Sequence, residues 1–260
     1  MTAAMRPELA VVGDDPSLLT QLRADAAALR EHTGVPTSAF AVRSRNAGEL
    51  SVALRSLPGE VAAVYLTGAE PGKARAAQRD LALGGGIPVI TEEETTGIIL
   101  TAAALVRSRR LEVAPFDAKI VVAGSDTMPL LVPLLVASGV GDVVAWRSGD
   151  APGYPLGTVA ESATVVVDLV GAFEGAALTM PSDRHAPLLP LPGLFAALRR
   201  GLVARPVNDP LYQLDVHRAC AHALTTLTPV DRLLPELSDP DVGTRVLDAI
   251  VEALRPPRKR

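Results

Sequence analysis

The chain has 260 residues, 48% of them hydrophobic, and a formal net charge of -4. This is enough apolar material for one large core or two moderate ones, so disorder is excluded as the default, and the mild acidity gives no pull toward nucleic acid. The single cysteine, Cys220, excludes an internal disulfide framework and thiolate metal sites, and 3% aromatic content leaves no platform on which single-stranded bases would stack.

Along the chain, short runs rich in Val and Ile alternate with longer helical patterns. LAVVG, AFAV, VAAVYL, IPVI, KIVVAG, DVVAW and ATVVVDLV read as buried strands. A helix is predicted from about Ser17, after the capping sequence DDPS, to Thr33, where Gly34 stops it. Others run from Asn46 to Leu57, from Pro71 to Leu83, and from about Glu94 to Arg110. Strand and helix alternating in this way require parallel sheets with right-handed crossovers. SRRLEVAPFD interrupts the pattern near residues 108–117, and a second series starts at Lys119. A Pro-rich stretch follows DLVG, and the remainder is mainly helical, ending in the basic RPPRKR, which reads as a solvated tail. The expected domains are 1–110, an α/β unit; 111–235, a Rossmann-like unit; and 236–260, a closing helix and tail that return to the first. The N-terminus has no apolar signal region, and the most apolar helical run, GIILTAAALV, is about ten residues against the roughly twenty that span a bilayer. A cytoplasmic protein, neither secreted nor membrane-spanning, is expected.

Several blocks, in order and at consistent spacing, carry a resemblance. ALREHTGVPTSAFAVRSRNAGELSVALRSLPGEVAAVYLTGAEPGKA, GIPVITEEETTGIILTAAALVRSRRL, KIVVAGSDTMPLLVPLLVASGVGDVVAWRSGD, LPGLFAALRRGLVAR, RACAHALTTL and LLPELSDPDVGTRVLDAIVEAL together resemble the malic enzymes, in their compact prokaryotic form, over about residues 10–256. The resemblance implies an amino-acid-dehydrogenase-like domain followed by a Rossmann-like doubly wound parallel sheet. It also implies oxidative decarboxylation of malate with NAD or NADP and a divalent metal, so the family's working parts can be sought one at a time.

A hard divalent ion needs oxygen ligands, normally carboxylates. Where the family carries adjacent Glu and Asp this chain has Thr67 and Gly68, and the third ligand position falls on Glu93 within Glu92, Glu93 and Glu94. The other reading of that triplet is an acidic first turn favoured by the helix dipole. Asp25 stands at the position of the family's lysine base, and the tyrosine proton donor belongs to an N-terminal segment without a counterpart in this shorter chain. Of the lysines, Lys119 and Lys259 sit in other contexts; Lys73 either substitutes by proximity or is surface charge on a helix.

A dinucleotide turn uses glycines for a tight bend, for close approach of backbone to the pyrophosphate, and for helix-to-strand packing. The corresponding residues are Gly124, Ser125, Asp126, Thr127, Met128 and Pro129. The Asp126 carboxylate is expected either to repel a phosphate, by about 4 kcal/mol at about 4 Å and an effective dielectric near 20, or to fold back onto the helix amides. With Pro129 and Pro133, the helix must start late or bend. After the next strand the ribose-binding acid is replaced by Arg147, which either reads the 2′-phosphate of NADP or is a solvated arginine.

His217, Cys220 and His222 read as helix packing rather than a metal or nucleophile site, and PSDRHAP, with Ser182, Asp183 and His185, as a loop rather than a triad. Asn208 reads as a helix cap. The expectation is a malic-enzyme-like pseudoenzyme, lacking metal ligands, lysine base and glycine-rich turn, that serves as a binding, regulatory or assembly protein with no cofactor. Its partner would be a protein or a small molecule, not nucleic acid or membrane, and a homodimer is in keeping with the family. The competing expectation is a divergent NADP-dependent oxidoreductase, with Arg147 on the 2′-phosphate and Glu93 orienting a substrate.

Overall fold

All seven apolar runs are strands in the computed structural model, which describes residues 8–202 and 210–255. Asn208, Lys259 and the basic tail beyond Arg255 lie outside the described residues. β1 (Glu8–Gly13), β2 (Thr37–Ala41), β3 (Val61–Thr67) and β4 (Val89–Thr91) form one sheet in the order β2-β1-β3-β4, with Val11 opposite Ala39 on one side and Tyr65 on the other. β5 (Lys119–Ala123), β6 (Asp142–Trp146) and β7 (Val165–Asp168) form a second, in the order β6-β5-β7. Every strand pair is parallel, so the carboxyl ends of each sheet lie along one edge.

The crossovers begin and end where local chemistry dictates. In the first, Asp15 accepts the Ser17 amide to start a 3-10 turn at Pro16–Leu18, which runs into α1 (Leu19–Thr33); Gly34 ends it in the left-handed region at φ 67°. α2 (Ala47–Arg55) is capped by the Asn46 side chain on the Glu49 amide, and α3 (Pro71–Leu83) by Glu70 on the amides of Gly72 and Lys73. α4 (Glu92–Arg110) starts two residues earlier than the apolar pattern suggested, because Thr91 caps it. Thr91 accepts from the Glu94 amide while the Glu94 carboxylate accepts from the Thr91 amide at 2.6 Å, a complete capping box.

α4 is the wall between the two cores. Ile98, Ile99 and Ala102 pack with Leu9, Val11 and Tyr65 of the first sheet, while Leu100, Ala104 and Leu105 pack with Ile120, Val122 and Val167 of the second. In the second half α5 (Leu131–Ala137) and α6 (Leu156–Ala160) are short. The closing helices α7 (Leu191–Arg199), α8 (Pro210–Leu227) and α9 (Asp241–Ala253) share the first sheet's core, with Phe195, Cys220, Leu224, Val246 and Ile250 buried against it. Each large apolar side chain so buried contributes roughly 1.5–3 kcal/mol, which holds α8 across the front of α4 and makes one side of a groove. Among the described residues no helix is long and apolar enough to cross a membrane.

Candidate functional site

β3 ends at Thr67, and the next residue, Gly68, turns with φ 66°. A side chain at Gly68 would lie 2.4 Å from Leu18 Cδ1, so both the conformation and the space demand glycine. Across this turn the Glu92 carboxylate accepts from Thr67 Oγ1 at 2.8 Å and from the Gly68 amide at 2.9 Å. Glu92 therefore satisfies the turn rather than standing free. Asp25, buried on α1, accepts from Arg184 at 2.7 Å, and His185 Nε2 is 3.9 Å away. Arg184 also donates to the Gln21 carbonyl. PSDRHAP is thus a loop, and it delivers an arginine to Asp25. The sequence reading missed Arg184 altogether; its one available signal was that an acid on the buried face of α1 requires a cation. Between Asp25 and Glu92 lies Tyr65, whose hydroxyl burial pushes well above its ordinary pKa, with the Glu92 charge adding to the effect.

This donor set does not fit a divalent metal. Glu92 is spent on the turn, Thr67 and Gly68 bring no carboxylate, and among the described residues no three His, Cys, Asp or Glu side chains converge. Lys73 does not supply the missing base, nor is it loose surface charge. Its ammonium pairs with the buried Asp14 carboxylate and donates to the Ser44 carbonyl at 3.2 Å.

The turn after β5 does not fit a dinucleotide either. Gly124, at φ 78°, and Ser125 both donate their amides to the Trp146 carbonyl, at 2.9 and 3.2 Å, and Thr127 closes the bend on the Gly124 carbonyl. The close approach that glycine permits is taken by Val170, whose Cγ1 lies 2.5 Å from where a Cβ would be. Val170 is held there by Asp168, which accepts the amides of Val170, Gly171 and Phe173. Burial works to raise the Asp168 pKa, but these backbone donors outweigh it and hold the carboxyl below its ordinary value. Asp126 is exposed and caps nothing among the described residues. The helix starts late, at Leu131, with Pro129 outside it and Pro133 in its first turn. The Leu130 amide at its entrance reaches the Glu93 carboxylate at 3.4 Å instead. Arg147 is exposed; its amide donates to Asp150, and its guanidinium has no partner among the described residues.

Glu93 does not join Thr67 and Gly68. It faces a groove of about 420 Å³ bounded by α3, the start of α4, the turn into α5, and α8. Arg75 contacts its Oε1 at 3.2 Å, while Oε2 is buried without a partner among the described residues. Burial raises the Glu93 pKa, opposed by Arg75 and the Leu130 amide. Beside it Glu94 accepts from Gln78 Nε2 at 3.0 Å, and His217 of α8 brings Nε2 to 3.7 Å from Glu94 Oε1. His217 is therefore more than helix packing. Cys220, three residues on, is packing, and burial drives its thiol pKa far up; His222 is exposed and points elsewhere. Arg75, Gln78 and Gln213, which also line the groove, carry no sequence motif.

The fold has known counterparts. The NAD-dependent malic enzyme from Thermotoga maritima superposes with a TM-score of 0.73 over 96% of this chain and 85% of that one, at 18% identity. The chain has a malic-enzyme fold. The malic enzymes from Pyrococcus horikoshii (TM-score 0.74, 15% identity, 97% of this chain and 77% of that) and Entamoeba histolytica (0.73, 14%, 97% and 70%) give the same result. No protein-family model and no curated protein matches the sequence. The α/β architecture with parallel sheets expected from the sequence is thereby borne out at the level of fold.

Proposed function

We propose that this protein keeps the malic-enzyme scaffold as a ligand-binding protein and does not oxidise malate. The observation that carries the reading is the internal closure of the site at the end of β3: Glu92 is bound by Thr67 and Gly68, and Asp25 is bound by Arg184. A catalytic metal site needs carboxylates left open for the ion, and a general base needs a lone pair within reach of the substrate. Here each such group already holds a partner from its own chain. The turn after β5 supports the same reading, since its first two amides and the space over Gly124 are taken by Trp146 and Val170. The groove at Glu93 and His217 is open, and of a size that suits a small molecule.

The test is incubation of the purified chain with malate, NAD or NADP, and Mg²⁺ or Mn²⁺, following reduced nicotinamide, alongside a titration with NADPH. No turnover and no binding at millimolar cofactor are expected. The Asp126→Gly variant is expected to bind no better, because Val170 and the Trp146-bound amides are unchanged by it. Micromolar NADPH binding that Arg147→Ala weakens would overturn the reading in favour of an NADP-dependent oxidoreductase.

A further inference from the structure

We propose that the groove between α3, α4, α5 and α8 binds a small organic monocation, a primary ammonium group carried on an apolar body. The inference rests on the reading above that the groove, not the end of β3, is the working site. Two polar atoms from different helices, Glu93 Oε2 and His217 Nδ1, are buried without a partner among the described residues, on side chains only 7% and 8% exposed. Both side chains line the same cavity. Buried acceptors left without donors are costly and uncommon, and two on side chains that line one cavity point to a ligand that, with a small side-chain rotation, supplies the donors.

Charge selects the class of ligand. The groove holds two carboxylates, Glu93 and Glu94, against one guanidinium, Arg75, and burial keeps His217 neutral. Glu94 is satisfied by the Thr91 amide and by Gln78, and Arg75 engages only Oε1 of Glu93. Two carboxylates against one guanidinium leave the groove with one net negative charge, and Glu93 Oε2 is the carboxylate oxygen without a donor among the described residues. In the tautomer that keeps the proton on Nε2, the nitrogen 3.7 Å from Glu94, the Nδ1 of His217 presents a lone pair. An ammonium group supplies three donors and one positive charge, which matches a carboxylate oxygen and an imidazole lone pair. The apolar part of the lining, Pro129, Leu130, Pro133 and Leu214, accommodates a hydrocarbon body. A dicarboxylate such as malate would meet Glu93 and Glu94 with like charge. An inorganic divalent ion does not fit, since among the described residues no three His, Cys, Asp or Glu side chains are placed to hold one.

Benzylamine is a suitable probe, with benzyl alcohol and benzoate as its neutral and anionic counterparts of similar shape, titrated into the full chain by calorimetry at neutral pH. Saturable benzylamine binding with a dissociation constant on the order of 1 mM is expected for so small a ligand. Benzyl alcohol should bind about tenfold more weakly or less well still, and benzoate not at all. Glu93→Gln should weaken benzylamine about tenfold while leaving circular dichroism unchanged. Equal binding of amine and alcohol, binding of benzoate, no saturation with benzylamine, or an unchanged affinity in a folded Glu93→Gln variant would each overturn the proposal. The charge comparison uses the wild-type chain, so it decides the matter even if the variant does not fold. Absence of amine binding leaves the non-catalytic reading intact, whereas malate turnover would overturn that reading whatever the amine result.

Discussion

Replacing Arg184 with alanine strips the cation from a carboxylate that the fold keeps away from water. The Asp25 side chain is 7% exposed and its partner 47% exposed, with 2.7 Å between Oδ1 and Nη2. At that distance the attraction is about 1.5 kcal/mol in bulk water and about 6 kcal/mol at an effective dielectric of 20. Solvent reaches the guanidinium from its open side, so the coupling should lie toward the lower limit, at about 1.5–2 kcal/mol. Arg184→Ala alone should cost more, about 2–3 kcal/mol, because it leaves Asp25 buried and unpaired; Asp25→Ala, which leaves only an exposed arginine, should cost about 1 kcal/mol. The four forms of the double-mutant cycle can be compared by thermal unfolding, where about 2–3 kcal/mol corresponds to a fall of roughly 4–12 °C for a chain of this size. Asp25→Lys, which places a second cation beside Arg184, should be less stable than Asp25→Ala and should recover when Arg184→Ala is added. A coupling below about 0.5 kcal/mol would refute the reasoning, since the two groups would then not hold each other in place.

Two further outcomes concern α8. His217 is buried and its pKa is lowered, with Glu94 pulling the other way; unfolded, it takes up a proton near its ordinary pKa of about 6.5. Its contribution is therefore fully present above about pH 6.5 and is lost as pH falls from there through the lower folded value, a slope in thermal stability that His217→Gln should reduce. The Cys220 thiol, buried and with its pKa driven up, should resist iodoacetamide in the native protein and react on addition of denaturant; rapid native labelling would show that α8 does not pack as described.

The sequence by itself determined the elements and the order of the fold. Runs such as LAVV and IVVA have no polar side chain to leave in water, and Asn46, Thr91 and Gly34 fix helix ends through contacts no more than four residues apart. The same locality made the want of a glycine-rich bend at Asp126 and Pro129, and the late start of α5 at Leu131, legible, since tight bends and helix starts are short-range events. It did not tell what took their place. That Val170 covers Gly124, that Arg184 reaches Asp25 across 159 residues, and that Glu92 turns to the β3 end while Glu93 turns to the groove depend on which side chains the sheets and α4 bring together. Glu92 and Glu93 are neighbours in sequence and look alike there, but about 100° of rotation around a helix sends one into a hydrogen-bonded turn and the other, half satisfied, into an open cavity. The direction a side chain takes from a helix surface, and the partner it meets, are set by packing between distant segments, so only the tertiary structure could decide them.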